Sequence, residues 1–167
     1  MPAAFQWNQT VGSPAGISQD LGQSGNLVNF KNADSIGTSG YAQNPIPAGS
    51  NSFEVWLRAH FSGVFNNIWD MRFWQSIDFS PNTGLVVKVK TNQQLYQQPT
   101  NATSSIATAT VSTSDPGSAN VSIAGSLSSS LSTSGFSDYI VSQLQTTSAA
   151  PAGDTSLSTF SLSYLEN

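Results

Sequence analysis

The chain contains no cysteine, a single histidine (His60) and only 8% charged residues. Without cysteine it can form no disulfide, thiolate nucleophile, thiolate-bound zinc site or iron–sulfur cluster, and one histidine excludes a multi-histidine metal site. Ordinary soluble domains carry roughly 25% charged residues, so uncharged polar groups must cover most of this surface. Five basic against nine acidic residues argue against a surface that follows nucleic-acid phosphates. Binding and structural roles remain.

Long apolar runs are also missing. No stretch approaches the roughly 20 apolar residues that span a bilayer, and Met1–Trp7 lacks the basic start and apolar run of a secretory signal. We therefore predict a protein that folds in the cytoplasm of the cell that assembles it, with no membrane and no nucleic acid as partner. The 38% hydrophobic and 10% aromatic residues can still build a core.

The segment 1–50 is rich in Gly, Pro, Ser and Asn, which prevents a long regular element. We predict one or two short strands joined by loops or, alternatively, an arm that lies on a neighbouring subunit. The sequence Pro45-Ile46-Pro47 is the sharpest boundary signal in the chain. The prediction is therefore a loop-rich N-terminal segment at 1–50 and a main domain at 51–167.

Aromatic residues concentrate between Asn51 and Phe79, where two runs alternate between apolar and polar side chains. This period of two is typical of strands with one buried face, and we predict that the two runs form an antiparallel pair. In the second run, one face is predicted to carry Trp69, Met71 and Phe73, and the other Ile68, Asp70, Arg72 and Trp74.

Further strands are predicted at 85–90, where Lys88 and Lys90 suit an edge strand, in the Ser/Thr-rich segment 101–150, and at 160–164. Helical spacing is scarce. About nine candidate strands at short spacing predict an all-β fold, an antiparallel β-sandwich or a jelly-roll-like arrangement.

Three acids, Glu54, Asp70 and Asp78, lie in the aromatic-rich region, where two facing carboxylates would suit a glycosidase. We favour structural roles: Asp70 is predicted to pair with Arg72 or Arg58, and Asp78 to cap a turn. No Gly-x-Ser-x-Gly motif accompanies the histidine, and no Asp-x-Asp-x-Asp-Gly loop indicates calcium. We predict no enzyme, no catalytic residue, no cofactor and no bound metal.

Trp56 and Trp74 fall on the faces opposite the main apolar sets of their strands. An exposed tryptophan stacks on sugar rings or anchors a protein interface, whereas a second layer of structure would bury it. Both alternatives stay open, and the two residues are the candidate interface or ligand platform.

The segments Ser114–Ile123 and Ser137–Thr147 resemble small β-rich virion proteins of tailed phages. The segments Trp56–Gly63 and Phe160–Glu166 are similar to that group too, so the resemblance covers roughly 53–166. It implies capsid decoration (cement) proteins, or head–tail and tail accessory proteins, and it carries no functional residue.

We therefore expect a non-enzymatic virion structural protein that binds the major capsid protein or other virion proteins. Decoration proteins cover a symmetric shell through many copies of one interface, so a homo-oligomer is expected, with a trimer favoured. The alternative is a carbohydrate- or receptor-binding tail module that uses Trp56 or Trp74.

Overall fold

The computed structural model describes residues 2–167, which form nine strands and contain no helix. It therefore has no helix in this range that is able to cross a membrane. The strands are β1 (Ala4–Val11), β2 (Ile17–Gly22), β3 (Val55–Ser62), β4 (Ile68–Ile77), β5 (Leu85–Gln93), β6 (Ala109–Thr110), β7 (Gly135–Phe136), β8 (Tyr139–Thr146) and β9 (Thr159–Glu166).

The strands form antiparallel sheets in a sandwich-like arrangement, which confirms the predicted all-β fold. The large sheet has the order β2-β1-β3-β8-β5-β6, with β7 paired to β3 off this path. The small sheet contains only β4 and β9. The main core lies between the two sheets, where β3 contributes Val55, Leu57, Ala59 and Phe61 and β4 contributes Ile68, Met71 and Phe73.

The predicted antiparallel pair between the two aromatic-rich runs is wrong. β3 pairs with β1 and β8, whereas β4 pairs with β9. The connection 63–67 carries the chain from one sheet to the other. Each run has one apolar side. Two such strands bury their apolar sides equally well when they lie in opposite sheets of a sandwich and when they pair side by side in one sheet. Local alternation does not distinguish these two arrangements.

The N-terminal segment belongs to the sandwich. β1 lies between β2 and β3, and its pairing with β3 runs from Ala4 opposite Ser62 to Thr10 opposite Trp56. Trp7 is buried in the main core. Within the N-terminal segment, β1 and β2 are therefore strands of the large sheet.

The loop that follows β2 is fastened by a buried lysine. The Lys31 ammonium donates hydrogen bonds to the carbonyls of Gly37 (2.9 Å) and Ser39 (2.6 Å). Nearby, the Gly12 amide donates to Asp34 Oδ2 at 2.8 Å, and Oδ1 is buried with no partner in the described chain. Burial lowers the pKa of Lys31 and raises the pKa of Asp34.

The Ser/Thr-rich segment 101–150 forms one full strand, β8, and two strands of two residues each, β6 and β7. The remainder is loop, because Ser and Thr hydroxyls bind nearby backbone groups in competition with a sheet ladder. Ser112 Oγ, for example, donates to the carbonyl of Ser114 at 2.7 Å. The predicted edge strand, β5, has β8 on one side and on the other only β6, which covers Lys88 and Val89.

Replacing Trp7 by alanine tests whether the N-terminal segment is part of the core. Removing a buried indole of 7% exposure should lower the free energy of unfolding by about 3–5 kcal/mol. Leu95→Ala, at a side chain that is 76% exposed, is the matched control. Urea unfolding measures both variants, and equal stability of the two would contradict the packed position of β1.

Replacing Asp34 by asparagine tests this partly buried carboxyl through the pH dependence of stability. Because the pKa of Asp34 is raised in the folded state, the folded state binds the proton more tightly than the unfolded chain. The stabilising contribution is complete below the ordinary value of 3.8 and is lost as the pH rises through the raised pKa. We therefore expect the free energy of unfolding of the native protein, measured relative to that of Asp34→Asn by urea denaturation, to fall between pH 4 and pH 7. A constant or growing advantage would exclude this assignment.

Candidate functional site

A β-bulge in β4 sets the outer face of the small sheet. Asp70 has a φ of 52°, in the left-handed region that Asp tolerates better than most residues. At this position the register with β9 shifts between Trp69 and Arg72. The extra residue turns Ile68 into the core, at 0% exposure, and Trp69 outward. The predicted faces are therefore correct after the bulge and wrong before it, since nothing in the alternation itself marks an inserted residue.

Three side chains of β4 and one of β9 form what we call the outer Trp face: Trp69, Arg72, Trp74 and Leu165. Trp69 is paired with Leu165, Arg72 with Ser163 and Trp74 with Ser161, and directly paired residues point to the same side of a sheet. Both indoles are half-buried, and neither packs against a hydrophobic core cluster. Leu165 is 48% exposed. The face thus presents an exposed leucine and two partly exposed indoles on the side of the small sheet that points away from the main core.

Arg72 lies between the two tryptophans along β4, and its guanidinium is held by carboxylates. It donates a hydrogen bond to Asp70, which confirms the predicted pairing, and lies 3.6 Å from Asp115. The hydrogen bond from Arg72 to Asp70 raises the pKa of the arginine, with a smaller contribution from Asp115. Its Nε is buried without a hydrogen-bond partner in residues 2–167. The outer Trp face therefore carries one guanidinium flanked by two carboxylates.

The two edges of the small sheet differ. Loops cover the outer edge of β4. The backbone N–H of Gln75 donates to the carbonyl of Ser112 (2.8 Å), and the backbone N–H of Val121 donates to the carbonyl of Met71 (3.1 Å). Beyond β9, no further strand pairs with the sheet within the described range. The one charged side chain of β9 is Glu166, which accepts a hydrogen bond from the amide of Ala3 at 2.7 Å. β9 therefore lacks the charges that commonly protect an open edge.

Trp56 is fully buried, so the platform hypothesis is wrong for this residue. Its ring packs edge-to-face against Tyr96 and Tyr139, with centroids 5.1 and 5.4 Å away. The loop 94–107 covers this face of the large sheet and encloses the ring in a second, smaller core with Ala107 and Val141. Trp74, the other candidate, lies on the outer Trp face.

Glu54 is a structural carboxylate. It is buried and accepts hydrogen bonds from Trp56 Nε1 (3.0 Å), the Thr100 amide (3.3 Å), Ser105 Oγ (2.6 Å) and the Ile106 amide (3.1 Å). These donors use both oxygens and fix the loop that encloses Trp56. The carboxylate therefore has no free oxygen directed into a cleft.

The other acids of the aromatic-rich region serve separate local structures. Asp78 accepts hydrogen bonds from Gln75, from the Phe79 amide and from Asn82, so it caps the turn after β4 as predicted. Asp70 is engaged by Arg72 on the outer Trp face. The three candidate acids thus bind three different sets of donors, and no facing pair is formed by them.

His60 lies on the outer face of the large sheet. Its ring stacks on Phe136 with centroids 4.3 Å apart, and its Nδ1 is 3.0 Å from a carboxylate oxygen of Asp20. The guanidinium of Arg58 sits 3.8 Å above the same phenyl ring. Within residues 2–167, no group of three or more His, Asp or Glu side chains is placed to hold a metal ion.

Comparison of the chain with known protein families, with curated proteins and with solved structures found no match. The resemblance to phage virion proteins therefore rests on the sequence segments that carry it.

Glu54→Gln tests the structural role of this carboxylate. Glutamine replaces one carboxylate oxygen by an NH₂ group, which is a donor. If the side chain keeps its orientation, this NH₂ group meets two other donors, Trp56 Nε1 and the Thr100 amide. We expect the free energy of unfolding to fall by about 1–3 kcal/mol, measured by urea denaturation. The exposed Asp154→Asn is the matched control. Loss of hydrolysis of a glycan substrate without loss of stability would instead support the glycosidase hypothesis.

Proposed function

We propose that this protein is a non-enzymatic structural protein that works through repeated protein–protein contacts, as a phage capsid decoration protein does. The observation that carries the proposal is the outer Trp face, which lies next to the open edge of β9. Tryptophan is among the residues that contribute most to protein–protein binding when an interface covers it. Two such side chains with an exposed leucine beside them are suited to an interface.

The charges of the face favour a second copy of the same chain as its first partner. Arg72 and its flanking carboxylates, Asp70 and Asp115, provide both signs within one small area. A copy can therefore meet the face with opposite charges opposed, and the unprotected edge of β9 offers backbone groups to a neighbouring strand. A face that meets itself gives a twofold dimer, whereas a face that meets a different surface closes a ring such as a trimer.

The virion assignment is supported by the resemblance of the second half of the chain to small β-rich virion proteins of tailed phages. The hydrogen bonds of the acids agree with a non-enzymatic role. Glu54, Asp70 and Asp78 each accept hydrogen bonds from different nearby groups of this chain. In this proposal the oligomer decorates the shell by binding the major capsid protein or another virion protein. Its place of action is the virion, assembled in the host cytoplasm.

Light scattering on the purified protein tests the contact face. We expect the native protein to form a homo-oligomer, with a trimer favoured, and Trp69→Ala/Trp74→Ala to weaken it. Loss of two interface tryptophans, each worth about 2 kcal/mol or more, should raise the dissociation constant by about 700-fold or more. Leu95→Ala, which removes an exposed leucine outside the face, is the control. A native protein that stays monomeric at high concentration would contradict the contact role of this face.

Cryo-electron microscopy of the assembled particle tests the virion assignment separately. Density for this chain on the shell, neck or tail is expected, with the β4–β9 sheet at a subunit contact. Particles without such density would exclude the virion role, while the solution oligomer would remain to be explained.

The second candidate function is sugar binding at Trp74. One observation favours it: the indole is paired with Ser161, whose hydroxyl lies 2.8 Å from that of Ser76, so polar groups border the ring. An indole of this kind can stack on the face of a sugar ring, while the serine hydroxyls bind the hydroxyls of the sugar. A glycan array distinguishes the candidates, because sugar binding must disappear in Trp74→Ala and persist in Leu95→Ala.

A further inference from the structure

An open cleft of about 570 Å³ lies between the two sheets, apart from the outer Trp face. Its floor is formed by side chains of the large sheet, Trp7, Leu57, Ser142 and Leu144. Phe73 and Phe160 of the small sheet line it from the opposite side. Its remaining lining comes from Leu21, Tyr41, Phe79 and the segments 23–30 and 154–159.

A continuous row of aromatic rings lines this cleft. Phe73 stacks on Phe160 with centroids 5.7 Å apart, and Phe160 meets Phe30 edge-to-face at 6.2 Å. The row extends to Trp7 at one end (6.1 Å from Phe73) and to Phe79 at the other (6.3 Å from Phe30). Five aromatic rings therefore line a cleft that is open to solvent.

The polar groups of the cleft are almost all uncharged. Gln23, Asn26, Asn29, Thr155 and Ser156 supply amides and hydroxyls from the loops, and Asp154 is the single Asp, Glu, Lys, Arg or His among the lining residues. On the floor, the polar side chain is that of Ser142, which is 5% exposed. The lining therefore combines an apolar floor with a neutral polar rim, and it contains no cation to bind a carboxylate or phosphate.

We propose that this cleft binds a neutral amphipathic small molecule, with a hydrocarbon body against the aromatic row and a hydroxyl or amide head at the rim. The volume falls in the range of about 300–1,000 Å³ that is typical of ligand pockets. An anionic head is disfavoured because Asp154 is the one charged side chain it would meet. A free sugar is disfavoured because its hydroxyls would lack partners along the apolar floor. This site is independent of the contacts of the outer Trp face.

Titration with the neutral fluorophore N-phenyl-1-naphthylamine tests the site. Its fluorescence should rise on binding to the native protein, and 1-decanol should displace it. Ser142→Leu places extra bulk on the floor, so we expect binding at least tenfold weaker, while Ser142→Ala at the same position keeps the cleft open and should bind like the native protein. No binding by the native protein, or equal binding by the two variants, would overturn the proposal.

A second pair of variants keeps the test valid if Ser142→Leu does not fold. Leu157 is 68% exposed and lines the cleft, whereas Leu95 is 76% exposed and lies outside it. Leu157→Ala should weaken the displacement by 1-decanol several-fold, and Leu95→Ala should leave it unchanged. Equal effects of the two substitutions would contradict a binding site at this position.

The nature of the head group is tested with decanoate and glucose. At neutral pH, decanoate should displace the fluorophore at least tenfold less well than 1-decanol, and Asp154→Asn should reduce that difference. Glucose should not displace it. Displacement by decanoate as strong as that by 1-decanol would overturn the neutral class, and displacement by glucose would favour a carbohydrate ligand instead.

Discussion

The burial of the inner face of the seven-stranded sheet is the constraint on which the rest of the structure depends. Only two strands, β4 and β9, oppose this sheet. Because so narrow a sheet does not cover the whole face, loops 23–30 and 154–158 also line the space between the sheets, and the aromatic-lined cleft is left open there. The small sheet also ends at β9, and no third sheet packs on the outer Trp face within residues 2–167.

The scarcity of charge explains how the loops are held. Three buried Lys, Glu and Asp side chains each hold a loop or turn by hydrogen bonds: Lys31 the loop after β2, Glu54 the loop over Trp56, and Asp138 the turn that contains Ser122 and Gly125. Backbone and hydroxyl groups complete these contacts. Three of the charged residues, Lys31, Glu54 and Asp138, are therefore buried and hold loops, and the other charged side chains lie at least partly exposed.

Particular elements show where local pattern predicts the structure and where it does not. The alternation of β3 and of Phe160–Tyr164 predicts strands that the structure contains, and Asp70 and Asp78 take the roles predicted for them. The partners of β3 and β4 were not predictable, since two half-apolar strands bury their faces equally well side by side or across a sandwich. The aromatic cleft was not predictable either, because its lining comes from segments far apart in the chain.

The composition and the alternation of apolar and polar residues depend only on each residue and its near neighbours. They were sufficient to indicate an all-β fold, a surface with few charges and the absence of thiol chemistry. The two candidate tryptophans are alike in the sequence, yet Trp56 is enclosed by the loop 94–107 while Trp74 faces outward. A bulge at Asp70 moved Trp69 to the same outer face. These outcomes were decided by the tertiary structure, because exposure depends on which distant segment packs over a side chain, and no local period encodes that.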